Sequence, residues 1–154
     1  MTIPFAALMA LLGALIETTV LPEVPIVGAT ADLVLVVSVT ATLLLGIEDG
    51  LVAAFAGGLL IDMLIPERPL GAATLSLLLT VGIAATVARV AGPSRRWLAV
   101  ALTVVLVLTE GAPFSFDATA TLVAAFMNGV VAFLIAALFG AIQQRFGTTE
   151  RVDW

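Results

Sequence analysis

Apolar and polar residues occur in long blocks along this chain. Six apolar blocks, each bounded by proline, glycine or charged residues, lie at residues 3–21, 33–47, 51–65, 71–92, 97–112 and 118–142. A helix needs about 20 apolar residues to cross a bilayer. The first, fourth and sixth blocks reach that length. The second, third and fifth, at roughly 15 residues, must extend into their flanks, thin the bilayer or re-enter from one side.

This pattern predicts an all-α membrane protein, a bundle of six transmembrane helices at residues 1–142 with a short cytoplasmic tail at residues 143–154. The chain is 62% hydrophobic and 11% charged, against about 45–50% and 25% in soluble domains. That leaves too little polar surface to cover a soluble globule. No basic residue precedes the first block, which is also longer than the apolar core of a secretory signal, so we expect it to remain as a helix.

The arginines predict the orientation of the bundle. Arg89, Arg95 and Arg96 lie at the link between the fourth and fifth blocks, and Arg145 and Arg151 lie in the C-terminal tail. Six spans would place both regions on one side, which the positive-inside rule makes cytoplasmic. Both termini are then cytoplasmic, and the outer side carries seven acidic residues with a single arginine.

The third block carries small residues at every fourth position. Gly50, Ala54, Gly58 and Asp62 would form one stripe on a helix, with Gly57 beside it. So little side-chain bulk allows another backbone to approach closely in lipid. The stripe therefore predicts a neighbouring helix and a partner for Asp62, because a carboxylate inside an apolar span normally faces protein or water. In the alternative interpretation, the Asp62 carboxyl near the helix end is simply wetted by interfacial water.

Small-residue stripes recur in three other blocks, and these helices, with the third, are predicted to form the bundle core. The stripes are Ala6, Ala10, Ala14 and Thr18 in the first block, Ala72, Ser76, Thr80, Ala84, Ala88 and Gly92 in the fourth, and Ala124, Asn128, Ala132, Ala136 and Gly140 in the sixth. The Asn128 amide is predicted to bond across to another helix. The second and fifth blocks are bulky all round, so we expect them to face lipid or a partner's transmembrane helix.

Three acids lie inside apolar blocks near their predicted outer ends, Glu17, Asp62 and Glu110. If the helices bundle, the three converge on one shallow outer region. Interfacial water would satisfy them there. Alternatively, they form an acidic hollow that receives an arginine, a cation or a basic ligand.

The residue types present predict no catalysis, no cofactor and no metal site. Cysteine, histidine and lysine are absent, which excludes thiolate chemistry, imidazole bases and the usual zinc ligands. An aspartyl pair of Asp62 with Glu17 or Glu110 lacks a recognisable context. Glu48 and Asp49 are interpreted as solvated acids at a cytoplasmic turn rather than as metal ligands. A net charge of −5 argues against nucleic acid as a partner.

Several short motifs between Asp32 and Gly71 resemble those of a known family. Ala31-Asp32-Leu33 resembles the Pro-Asp-Leu start of a helix in the bacterial rod shape-determining protein MreD family. Gly46 and Gly50 precede an Ala/Gly-rich helix, Gly58-Leu59-Leu60-Ile61-Asp62 resembles that family's Gly-Leu-Leu-x-Asp stretch, and Pro69-Leu70-Gly71 resembles its Pro-Leu-Gly motif. The motifs are short, and their order and spacing carry the resemblance.

The resemblance implies a non-enzymatic, multi-pass scaffold subunit of the cell-elongation complex (elongasome) in the bacterial inner membrane. Such a subunit binds the bitopic protein MreC and helps to position peptidoglycan synthesis for cell shape, with RodA and a class B penicillin-binding protein as further partners. It also implies a fold similar to the S-components of energy-coupling-factor transporters.

That fold similarity supplies the alternative function, a substrate-binding S-component of a vitamin transporter. S-components resemble this chain in having six helices and an Ala-x-x-x-Ala face on the first helix, here Ala6, Ala10 and Ala14, with which they dock their transmembrane partner. A vitamin pocket requires several convergent polar or aromatic groups. The predicted outer half offers mainly acids and no tyrosine, which favours the scaffold.

Overall fold

The computed structural model describes residues 2–23, 31–66, 69–91, 101–105 and 118–146. These residues are helical or in short connections, and none of them forms a strand. The helices are α1 (Thr2–Thr19), a 3-10 turn (Leu21–Glu23), α2 (Leu33–Leu44), α3 (Ile47–Leu64), α4 (Ala72–Ala91), α5 (described at 101–105) and α6 (Ala118–Phe146). The prediction of an all-α protein is confirmed.

Two of the described helices are long and apolar enough to cross a membrane, α4 over Ala72–Val90 and α6 over Thr121–Ala141. Helix α1 is apolar over Ile3–Thr19 and α2 over Leu33–Leu44, and both are shorter. The count of six spans and the orientation stay predictions. Arg95, Arg96 and Arg151, on which the orientation was based, lie outside the described residues.

The connection between α2 and α3 is shorter than predicted. Gly46 has φ of 137°, a conformation that favours glycine, and its N–H bonds back to the Ala41 carbonyl at the end of α2. Helix α3 begins at the next residue, so Glu48 and Asp49 lie in its first turn. Their interpretation as solvated turn residues is wrong for Asp49, which is buried. Acidic residues are favoured in this position because they complement the helix dipole.

Helix α2 is the central helix of the described bundle. Every residue from Val34 to Leu43 is buried, and the helix contacts α1, α3, α4 and α6. The prediction that this bulky helix faces lipid or a partner is therefore wrong. A helix that is apolar all round suits either lipid or a protein interior, and here its neighbours enclose it.

Small residues bring α1 and α3 together. Ala6, Ala10 and Ala14 are fully buried. A Cβ atom added to Gly57 of α3 would lie 3.3 Å from both the Cβ atom and the carbonyl oxygen of Ala10, closer than most such contacts. The prediction that this face of α1 belongs to the bundle core is confirmed.

The stripes of α6 and α4 also enter the core, the second only in part. On α6, Ala132 and Ala136 are buried, and Phe139 packs against Phe5 of α1 with ring centroids 5.6 Å apart and the ring planes tilted by 59°. On α4, the buried members of the stripe are Thr80, Ala84 and Ala88, whereas Ala72 and Ser76 are exposed. Gly92 lies outside the described residues. The first turns of α4 depart from the prediction because they border a cavity.

The exterior is broadly apolar. Large exposed apolar side chains recur at every fourth position on α3 and α4 and along one side of α6; they include Leu51, Phe55, Leu59 and Met63, then Leu75, Leu79 and Ile83, then Leu122, Phe126, Val130 and Leu134. Contiguous apolar surface on this scale is rare on soluble monomers and marks membrane or protein contact. Of α5, Thr103 is buried and Val105 exposed, so the described part of that helix has one side in the core.

Candidate functional site

Polar side chains from four helices meet at one end of the bundle, where α1 and α3 end and α2 and α4 begin. We call this region the capped end and define it by Glu17 of α1, Asp32 at the start of α2, Asp62 of α3 and Asn128 of α6. Each of these side chains accepts a hydrogen bond from a backbone N–H at the start of α2 or α4.

The Asp62 carboxylate caps the N-terminus of α4. Its Oδ1 accepts from the Ala73 N–H at 2.9 Å, and its Oδ2 from the N–H groups of Gly71 and Thr74, each at 3.1 Å. The Thr74 hydroxyl donates to the same Oδ2 at 2.6 Å. The first N–H groups of a helix have no partner within the helix, so one side chain of α3 supplies acceptors for three of them.

Two glycines make this arrangement possible. Gly58 lies one turn before Asp62, and a Cβ atom there would be 2.7 Å from the Thr74 Cα. Only glycine lets the backbones of α3 and α4 approach so closely. Gly71 has φ of 91°, in the left-handed region, and this turn directs its N–H to Asp62.

Three separate side chains cap the N-terminus of α2. Asp32 is its N-cap residue, and its Oδ1 accepts from the Leu35 N–H at 2.8 Å. Glu17 Oε2 accepts from the Val34 N–H at 3.2 Å. Asn128 Oδ1 accepts from the Asp32 N–H at 2.8 Å, while its own amide donates to the Ala124 carbonyl at 2.9 Å. The prediction that Asn128 bonds across to another helix is confirmed.

The electrostatics of the capped end follow from these bonds. Three carboxylates lie at two helix N-termini, where the positive end of the helix dipole favours negative charge. Asp62 is only 2% exposed, so it is not the wetted carboxyl of the alternative interpretation. Backbone N–H groups are the partners by which these acids join α1, α2, α3 and α4.

A cavity of about 370 Å³ lies beside the two capped N-termini. We call it the end cavity, and its lining residues are Glu17, Asp32, Ile61, Ala72, Ala73, Ser76 and Leu77. Of the three acids predicted to converge, Glu17 lines this cavity, and the acid beside it is Asp32, which was not among the three. Asp62 lies next to this cavity and bonds to the backbone of the lining residue Ala73. Glu110, the third predicted member, lies outside the described residues.

The stripe of α3 packs within the chain itself. Gly50 faces Thr42 of α2, with which an added Cβ would overlap, and Ala54 is fully buried in the core. Gly58 and Asp62 both meet the first turn of α4. The stripe is therefore a set of intramolecular contacts, and a role of its residues in binding another protein stays a prediction.

Sequence reasoning missed two features of the capped end. Asp32 immediately before an apolar run is a known N-cap signal, and it would have predicted the bond to Leu35. The role of Thr74 had a weaker signal, a threonine in the first turn of the helix that follows Gly71. The backbone N–H groups that receive Asp62 have no sequence signal, because every residue except proline carries one.

The capped end joins helices, and among the described residues no group of three or more acids, histidines or cysteines is placed to hold a metal ion. The hydrogen bonds described above cap helices, with carboxylate or amide oxygens as acceptors. Comparison of the whole chain with protein-family models, with curated proteins and with solved structures finds no match.

Proposed function

We propose that this chain is a non-catalytic, multi-pass subunit of the bacterial inner membrane that belongs to the rod, or elongation, complex. In this proposal it binds MreC and helps to position and regulate peptidoglycan synthesis for cell shape, near RodA and a class B penicillin-binding protein. Both termini lie in the cytoplasm, so the capped end faces outward.

One observation carries the proposal. The residues on which the MreD resemblance rests occupy the helix junctions of this fold. Asp32 caps α2, Gly46 forms the turn into α3, and Gly58, Asp62 and Gly71 join α3 to α4. Short motifs at such sites are under a shared physical constraint, which supports a common fold more strongly than their length alone would.

The apolar exterior supports placement in a bilayer. Helices α4 and α6 meet the length and composition of a span, and their exposed residues are large and apolar, such as Leu75, Leu79 and Phe126. In water this surface would drive aggregation. In lipid it has no cost, and the capped N-termini meet the requirement that buried backbone groups be satisfied internally.

Burial of the α3 stripe changes where a partner would bind. Gly50, Gly58 and Asp62 are occupied by α2 and α4, so a partner's transmembrane helix would pack on the exposed apolar faces. The exposed face of α3 that includes Leu59 and Met63 offers such a surface.

Affinity purification of the tagged chain from native bacterial membranes in mild detergent tests the proposal. We expect MreC to be enriched relative to a mock purification with an unrelated six-helix membrane protein. A matched pair of variants, Leu59→Ala on the exposed face and Ala54→Leu in the core, separates a surface effect from misfolding. Recovery of an ATPase-linked transporter core in place of MreC would refute the scaffold assignment.

The end cavity favours a second candidate, the S-component of a vitamin transporter. Its volume of about 370 Å³ lies in the usual range for small-molecule pockets, about 300–1,000 Å³. Two observations weigh against this candidate. Among the described residues that line the cavity, none is aromatic. The Ala6, Ala10 and Ala14 face, which would dock a transporter partner, is buried within this chain's own bundle.

Native mass spectrometry of the purified protein tests the second candidate. A co-purified vitamin of defined mass, lost on Ser76→Leu substitution in the cavity wall, would support the transporter assignment. Its absence after expression in vitamin-rich medium would remove that support.

A further inference from the structure

We propose that the end cavity is a water-filled recess that opens to the outer solution and extends below the surface of the bilayer. This inference rests on the proposed membrane placement and outward orientation. Its basis is the depth of the α2 N-terminus and the polar groups that line the cavity.

The position of Asn128 along α6 gives the depth in the bilayer at which α2 begins. Asn128 bonds to the first turn of α2 and lies seven residues after Thr121, where the apolar span of α6 starts. At 1.5 Å per residue this is about 10 Å along the helix. Phe139, further along α6, belongs to the same buried cluster as Val37 and Ala41, further along α2, so the two helices run in the same direction.

The length of α2 agrees with this register. Its 12 residues extend about 18 Å, whereas the hydrocarbon core is about 30 Å thick. The last turn of α2 lies level with the end of the α6 span near Ala141, because both are about 12 residues beyond the Asn128 contact. The end of α2 that falls short of the bilayer surface is therefore its N-terminus, at the capped end.

Helix α4 gives an independent measure of depth at the opposite wall. Its apolar span begins at Ala72, and the lining residue Ser76 lies four residues later, about 6 Å along the axis. Both helices thus place the cavity wall inside the apolar part of the outer leaflet.

Polar groups at this depth favour water over acyl chains. The cavity wall includes the carboxylates of Glu17 and Asp32 and the hydroxyl-bearing Ser76. Irregular backbone and charged groups at membrane depth are tolerated where they are buried in protein or line a water-filled cavity. A volume of about 370 Å³ far exceeds the roughly 10–15 Å³ that one ordered water requires. The recess is therefore accessible to water and small hydrophilic solutes.

Cysteine accessibility tests the inference directly, because the chain contains no cysteine. Ser76→Cys and Ala72→Cys place thiols in the recess. Leu75→Cys and Leu79→Cys place them on exposed surface of the same helix, outside the cavity lining. Right-side-out membrane vesicles are treated with a charged, membrane-impermeant maleimide, and the labelled fraction is measured over time. Labelling after SDS denaturation controls for the presence of each thiol.

We expect Ser76→Cys to react at least about tenfold faster than Leu79→Cys, because the thiolate is the reactive form and acyl chains disfavour it. Equal, slow reaction of both variants would overturn the recess while leaving the membrane placement intact. Equal, fast reaction would overturn the membrane placement itself, since Leu79 is 69% exposed. Fast reaction of Ser76→Cys in inside-out vesicles alone would overturn the outward opening. Ala72→Cys provides the same comparison if Ser76→Cys fails to insert.

Discussion

The N-termini of α2 and α4 lie at the same end of the bundle and are capped in different ways. At the start of α4, the single carboxylate of Asp62 accepts four hydrogen bonds from Gly71, Ala73 and Thr74, and the Ala72 N–H donates to the Pro69 carbonyl. At the start of α2, the side chains of Asp32, Glu17 and Asn128 each accept from one backbone N–H. The start of α4 should therefore fail at a single substitution, whereas the start of α2 should lose stability in small steps.

The largest loss is expected for Asp62→Ala. Removing the carboxylate leaves three N–H groups at the start of α4 without their acceptor, at a cost of about 2–3 kcal/mol. The midpoint of SDS-induced unfolding measures it. Asp62→Asn keeps one acceptor oxygen and should lose less. An unfolding midpoint unchanged in Asp62→Ala would show that α4 does not depend on this cap.

The next largest loss of stability is expected for Gly58→Val. Its Cβ would lie 2.7 Å from the Thr74 Cα, and backbone atoms cannot yield as a side chain can, so α3 and α4 must separate at a cost of about 1–3 kcal/mol. The same unfolding assay measures the shift. Gly82→Ala is the matched control, because its Cβ meets open space and alanine is favoured over glycine in a helix by about 1 kcal/mol. A destabilised control with a stable Gly58→Val would contradict the close approach.

Asn128→Leu should cost less, about 0.6 kcal/mol, the average for an interhelical hydrogen bond in a membrane protein. The Asp32 N–H loses its acceptor, but the Glu17 and Asp32 side chains still accept from the N–H groups of Val34 and Leu35. Measured in the double variant with Asp62→Ala, the two losses should add, because they affect different helices. A loss as large as that of Asp62→Ala would end the contrast between the two junctions.

The smallest effect is expected for Glu17→Gln. The amide oxygen can still accept from the Val34 N–H, so only the charge next to the α2 dipole is lost, a change of about 0.3–1 kcal/mol. Glu17→Leu removes the acceptor as well and should lose more. If Glu17→Gln were as damaging as Glu17→Leu, charge rather than hydrogen bonding would hold α2.

The spacing of small residues made part of this fold predictable. The faces of Ala6, Ala10 and Ala14 on α1 and of Gly58 and Asp62 on α3 follow from a period of four, and both lie in contacts. The centrality of α2 did not follow, because an aliphatic helix satisfies lipid and core equally well. Its position depends on which neighbours have small faces turned toward it, and a single helix sequence does not contain that information.

The capped end was predictable in its acceptors and not in its donors. Asp62 and Asn128 were identifiable as polar groups in apolar helices, and each required a partner. Their partners are backbone N–H groups, which depend on where α2 and α4 begin. The early start of α3 at Ile47 was missed for a related reason, since Glu48 and Asp49 suit a turn and a first helical turn alike.

The two-residue turn at Gly46 has a consequence for biogenesis. In the proposed membrane placement, α2 with its 12 residues is shorter than the roughly 20 that a span needs, so the insertion machinery would not recognise it by itself. The tight link at residues 45–46 ties it to α3, so the pair should partition from the translocon together as one helical hairpin. A ribosome-bound chain truncated before Gly58 would then leave α2 outside the lipid, and completion of α3 would draw both helices in.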